Sequence, residues 1–95
     1  MAYSHWDRFE WDDENKKNGN VQHLRDHRIE PAEAEECFFH NYIFAPDERR
    51  FGDVYVLDGR TNRGRPLRLI FQDKGNRVAR VITGWDWKPR KKRNK

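Results

Sequence analysis

Cysteine is nearly absent from this chain. Of 95 residues only Cys37 carries a thiol, which excludes an internal disulfide and a multi-cysteine zinc site and fits a reducing compartment. Cys37 reads as a small buried residue. No apolar run approaches the roughly 18 residues of a membrane span, and Met1 to Glu10 is too polar for a signal peptide, so a soluble cytoplasmic protein is expected. A glycine-rich nucleotide loop, a nucleophile elbow and the spaced carboxylates of two-metal nucleases are also missing. The common hydrolase mechanisms have no foothold, and no cofactor is expected. Hydrophobic residues make up 35% of the chain against 38% charged. A packed core is still feasible, because four Trp, six Phe and three Tyr bury much area per side chain. The length suits one domain and is too short for two.

Charge is distributed unevenly. Residues 1–50 hold 7 Lys/Arg and 12 Asp/Glu, a net −5, whereas residues 51–95 hold 13 and 4, a net +9. A gradient of that size favours a polyanion on one side of the molecule. The run Lys88-Pro89-Arg90-Lys91-Lys92-Arg93-Asn94-Lys95 has six basic residues and no acidic one. It is expected to form a flexible tail after a domain spanning residues 1–87, with Lys88, Arg90, Lys91, Lys92 and Arg93 as phosphate contacts. An ordinary solubilising tail has the same composition.

Alternation from His5 to Trp11 predicts a half-buried strand, after which Asp12 or Asp13 can cap a helix. Val21, Leu24 and Ile29 mark one buried stripe over Glu14 to His27, while Gly19 and the asparagines weaken the first half of that helix. Pro31 is placed to open a second helix, because proline at the first helical position gives up no hydrogen bond. Ala34, Cys37 and Phe38 line its face. The segment from Asn41 to Arg50 reads as a connection, and strands are expected at Asp53–Leu57, Pro66–Gln72 and Arg77–Thr83. Turns carrying Gly59 and Gly64, then Asp73-Lys74-Gly75-Asn76, predict antiparallel pairing in order. The sum is a small α+β domain of order β-α-α-β-β-β, with an antiparallel sheet and two helices on one face.

His23 and His27 stand four residues apart, so both imidazoles fall on one side of the first helix. Metal binding, a structural or surface role, and acid–base or phosphate chemistry are all compatible with that spacing. No Glu follows His23 as a zinc-protease helix requires. Metal-free RNA cleavage needs a base for the 2′-hydroxyl, a cation for the phosphorane and an acid for the 5′ oxygen. Arginine suits the middle task, because its fork binds phosphate oxygens bidentately and keeps its charge. Arg80 sits in the middle of a mostly apolar strand, and Arg60 and Arg65 flank a glycine-containing loop. The competing reading of Arg80 is a pair with a carboxylate such as Asp58 or Asp86.

Phe9-Glu10-Trp11-Asp12, Asn20 to His27, Ile29 to Phe38, Gly59-Arg60-Thr61 with Gly64-Arg65, and Arg80-Val81-Ile82-Thr83, taken together and in this order, resemble the BrnT toxins. The resemblance implies a RelE-like fold, metal-independent endoribonuclease activity that arrests translation, and a cognate DNA-binding antitoxin. Carried across by position, it implies Arg80, Arg60, His23 and His27 as catalytic residues and Arg65 as an RNA contact. The chain departs from the family at Asp26-His27-Arg28, where the family shows a basic residue, His and Gly. It departs again after the last strand, where Gly84-Trp85-Asp86-Trp87-Lys88-Pro89 replaces an Ala-Arg pair and a helix. A non-catalytic binding module of the same fold is the alternative.

Overall fold

A computed structural model describes residues 5–50 and 52–88. In chain order the elements are β1 (Arg8–Phe9), α1 (Asn20–Asp26), α2 (Pro31–Cys37), β2 (Ile43–Pro46), β3 (Val54–Arg60), β4 (Pro66–Gly75) and β5 (Val78–Asp86). The strands form one five-stranded sheet in the order β1-β5-β4-β3-β2. Among the described residues no helix is long and apolar enough to cross a membrane. Of the predicted tail, Lys88 is described and exposed; Arg90, Lys91, Lys92 and Arg93 lie outside the described residues.

The expected stripe is the core. Leu24, Ile29, Ala34, Cys37 and Phe38 from the helical layer meet Leu57, Leu67, Leu69, Phe71, Ala79 and Val81 from the sheet. Because Leu67, Leu69 and Phe71 alternate along β4, both helices pack on the same sheet face. Complete burial of each large apolar side chain contributes roughly 1.5–3 kcal/mol. Pro31 opens α2 as expected, and the Glu33 carboxylate turns back to accept the Glu30 N–H at 3.0 Å. Helix α1 is shorter than predicted. Asn18 adopts φ 61° and Gly19 is the N-cap, so the asparagine- and glycine-rich stretch before Asn20 turns instead of coiling. Gly59, expected in a loop, lies inside β3, where a Cβ would stand 3.0 Å from the Cys37 carbonyl oxygen. Its missing side chain lets α2 approach the strand.

Two features correct the predicted sheet. Pairing between β2, β3, β4 and β5 is antiparallel, but β1 runs parallel to β5, with Arg8 opposite Val78 and Phe9 opposite Ala79. The sheet is therefore mixed. Tight turns impose antiparallel direction on consecutive strands, whereas β1 is separated from β5 by the rest of the chain and no turn governs it. The second correction is β2, within the segment read as a connection. All four of its residues are exposed, so no alternation announces it. It is held by backbone pairing to β3 and by Phe44, which packs edge-on against Trp6 at 5.1 Å. Pro46, which lacks an N–H, suits such an edge strand.

A bulge completes the geometry. Phe71 pairs with Val81 and Ile70 with Thr83, so Ile82 has no partner on β4. Beyond the bulge the register is regular, and Trp85 lies opposite Arg68 on the sheet face turned away from the helices.

Candidate functional site

Arg80 projects from β5 and is bound bidentately by Asp12, with Nη1 to Oδ1 at 3.2 Å and Nη2 to Oδ2 at 2.8 Å. Glu10 adds a carboxylate oxygen 3.8 Å away. Asp12 in turn accepts the Asn20 N–H at 3.0 Å, serving the first free donor of α1. The bond from Arg80, and next the Asn20 N–H, hold the Asp12 carboxyl down at about 2. The buried Asn20 side chain joins the same knot, donating to the carbonyls of Glu10 and Val81 and accepting from the Asp12 N–H. Arg80 thus ties the segment after β1, the start of α1 and the last strand. A carboxylate partner was one of the sequence expectations for this residue, but it is Asp12 and neither Asp58 nor Asp86.

Those two aspartates are occupied elsewhere. Asp58 holds Arg68 through bonds of 2.6 and 2.8 Å. Asp86 holds Arg65 through Nε at 2.7 Å and Nη2 at 3.0 Å, while Nη1 of Arg65 reaches both Glu33 oxygens at 3.2 and 3.1 Å and the Arg28 carbonyl at 3.0 Å. Arg65 joins the start of β4, the end of β5, the first turn of α2 and the link between the helices. Two carboxylates neutralise it, Asp86 foremost, and they raise its pKa above the ordinary arginine value. A phosphate reaches Arg65 or Arg80 only by displacing these partners.

Arg60 is placed differently. It ends β3 and donates through Nη1 to the Gly64 carbonyl at 3.1 Å. Among the described residues it has no carboxylate within ion-pair distance. Two backbone bonds close the turn beside it, Thr61 N–H to Arg65 O at 3.0 Å and Gly64 N–H to Thr61 O at 2.9 Å, and Gly64 supplies φ +87°. The Asn62 N–H donates to Glu36 of α2 at 2.8 Å. His40, just past α2, meets the Asn62 side-chain oxygen through Nε2 at 2.6 Å. With that oxygen as acceptor, Nε2 is the donor and Nδ1 keeps a lone pair. His40, Asn41, Arg60, Thr61, Asn62 and Gly64 line a depression of about 360 Å³. It brings together an uncompensated guanidinium, an imidazole and two amide side chains.

His23 and His27 do come together, as their spacing predicted, and share a second depression of about 330 Å³ with Asp26, Arg50, Ile82 and Thr83. Arg50, which shares that lining, donates to Asp47 at 2.6 Å. Arg80 borders neither depression and Arg60 borders the other one. Among the described residues no group of three or more His, Cys, Asp or Glu could hold a metal ion. The four residues proposed as catalytic therefore occupy three separate settings. His40 was missed because it has no periodic partner in sequence. Its neighbour Asn62 is 22 residues away and meets it only through the turn.

No protein-family model, curated protein or solved structure matches this chain.

Proposed function

We propose that this protein is a BrnT-like toxin of RelE-like fold: a metal-independent endoribonuclease of the cytoplasm that cleaves RNA to arrest translation and is neutralised by a DNA-binding antitoxin. The observation that carries the reading is that Arg60 and His40 line one depression, with no carboxylate among the described residues bound to the guanidinium. Phosphodiester cleavage by the 2′-hydroxyl needs a fixed cation for the doubly charged phosphorane and a group that moves a proton. Arg60 supplies the first. His40 supplies the second, taking the 2′-hydroxyl proton on Nδ1 and returning a proton to the departing 5′ oxygen. Asn41 and Asn62 offer amide donors for the phosphate oxygens and the ribose. The centre of the reaction then lies at the β3–β4 turn instead of on β5, and Arg80 and Arg65 have structural duties.

The test is incubation of the purified protein with mixed RNA in excess chelator, beside Arg60→Ala and His40→Ala. Fragments formed by the parent protein and reduced roughly 100- to 10,000-fold in His40→Ala support the assignment, that range being the usual effect of a general acid–base group. Fragments at undiminished rate in both variants refute it. The second reading, a non-catalytic nucleic-acid or partner-binding module, is favoured by the neutralisation of Arg80 and Arg65. Intact RNA with salt-sensitive retention selects that module.

A further inference from the structure

Trp85 lies near the end of β5, and Trp87 stands one residue beyond the strand, where its N–H donates to the Pro66 carbonyl at 3.1 Å. Trp85 lies opposite Arg68 in the register, on the sheet face away from the helices. The Arg68 guanidinium stands over the Trp87 ring, 5.2 Å from its centroid. Both indoles are half-buried, so part of each ring is in solvent. The Trp85 ring is 6.4 Å from that of His27. Extended residues two apart are separated by roughly 6.6 Å, and the Trp87 bond to Pro66 carries the pairing with β4 one step past Asp86. The surroundings are already ordered: Asp58 holds Arg68, and Arg65 holds Asp86, which lies between the two tryptophans in sequence. Both carboxylates are thereby paired with a guanidinium. Lys88 follows directly and is exposed.

We propose that Trp85 and Trp87, with Arg68 fixing the second ring, form a stacking platform for two bases of single-stranded RNA. The proposal rests on the reading of RNA as the ligand, and it assigns the sheet face a role apart from the Arg60–His40 depression. Every base has a π face, so two indoles two residues apart bind with little sequence preference, while exposed Lys88 beside them meets a phosphate. The carboxylates of an acidic peptide offer far smaller planar faces to the indoles than bases do. Trp6 and Trp11 cannot serve. Trp6 is buried among Phe38, Phe71 and Tyr55, and the Trp11 indole donates to Glu35 at 2.7 Å.

The platform is tested with hexanucleotides carrying 2′-O-methyl groups, which remove the nucleophile and prevent cleavage, and with abasic counterparts of the same length. Indole emission and the anisotropy of an end-labelled probe are read together. The expected result is saturable quenching by the base-bearing probe and none by the abasic one. Trp85→Ala and Trp87→Ala are each expected to weaken binding by roughly 5- to 150-fold. Trp85→Phe and Trp87→Phe keep a ring and are expected to retain most of the affinity while losing part of the quenching, which guards against a folding defect in the alanine variants. Binding with unchanged emission, and with both alanine variants at parental affinity, overturns the platform; sensitivity to Arg60→Ala in that case leaves the ribonuclease reading standing. Quenching that survives while Arg60→Ala and His40→Ala leave cleavage unchanged sinks the ribonuclease site and keeps the platform. Absence of any binding overturns both, and quenching by an acidic peptide but by no oligonucleotide assigns the face to a protein partner.

Discussion

Replacing Arg80 by alanine asks whether this arginine belongs to the fold or to a phosphate. The two bonds to Asp12 are charge-assisted, and hydrogen bonds to charged groups contribute about 1.5–3 kcal/mol each when well shielded. Arg80 is 27% exposed at its side chain, so solvent screening lowers the yield of the pair, and a loss of about 2 kcal/mol is expected for Arg80→Ala. In a domain of this size that corresponds to a fall in Tm of about 8–16 °C. The pH dependence gives a second handle. Asp12 titrates at about 2 when folded against an ordinary 3.8, so the unfolded state binds more protons between those values. The stabilisation carried by the pair is thus fully present above pH 3.8 and is lost as pH falls through about 2. Thermal unfolding by circular dichroism at pH 7, 4 and 2 is expected to show a wide gap between parent and variant at the first two and a narrow gap at the last. Adding Asp12→Asn to Arg80→Ala should recover part of the loss, because it removes the carboxylate left without its partner. Unchanged Tm across the series, together with collapse of RNA cleavage, would refute the structural assignment and return Arg80 to the substrate.

Arg60→Ala is expected to leave Tm nearly unchanged, within about 0.5 kcal/mol of the parent. It should also lower the dependence of log affinity for single-stranded RNA on log salt by roughly 0.7, because one phosphate is no longer neutralised; filter binding between 50 and 200 mM salt as rough limits checks it. Gly84→Ala places a Cβ 2.6 Å from a Leu69 methyl and 3.0 Å from the Arg68 carbonyl oxygen, so overpacking should cost about 1–3 kcal/mol in urea unfolding. Parental stability in that variant would mean that the β4–β5 contact is looser than described. Burial, reinforced by Glu36 and Glu33, pushes the Cys37 thiol up to about 12. A thiol reagent at pH 8 should therefore label the native chain very slowly and the urea-unfolded chain at once, and rapid native labelling would contradict the packing of α2 on β3.

Local chemistry alone determined much of this protein. The spacing of Val21, Leu24 and Ile29, the alternation of Leu67, Leu69 and Phe71, and Pro31 at the head of a helix each act within a few residues, and their consequences are the helices, the hairpin strands and the buried face. The i, i+4 histidines share a depression for the same reason. Tertiary structure decided the partners of the arginines. Arg80 meets Asp12 across 68 residues and Arg65 meets Glu33 across 32, and no periodicity tells one aspartate or glutamate from another at that range. It also decided the parallel docking of β1, the pairing of the exposed edge strand β2 and the meeting of His40 with Asn62. Charge and hydropathy report what a side chain favours, whereas the identity of the group that satisfies it depends on which segments the closed core brings within about 3 Å.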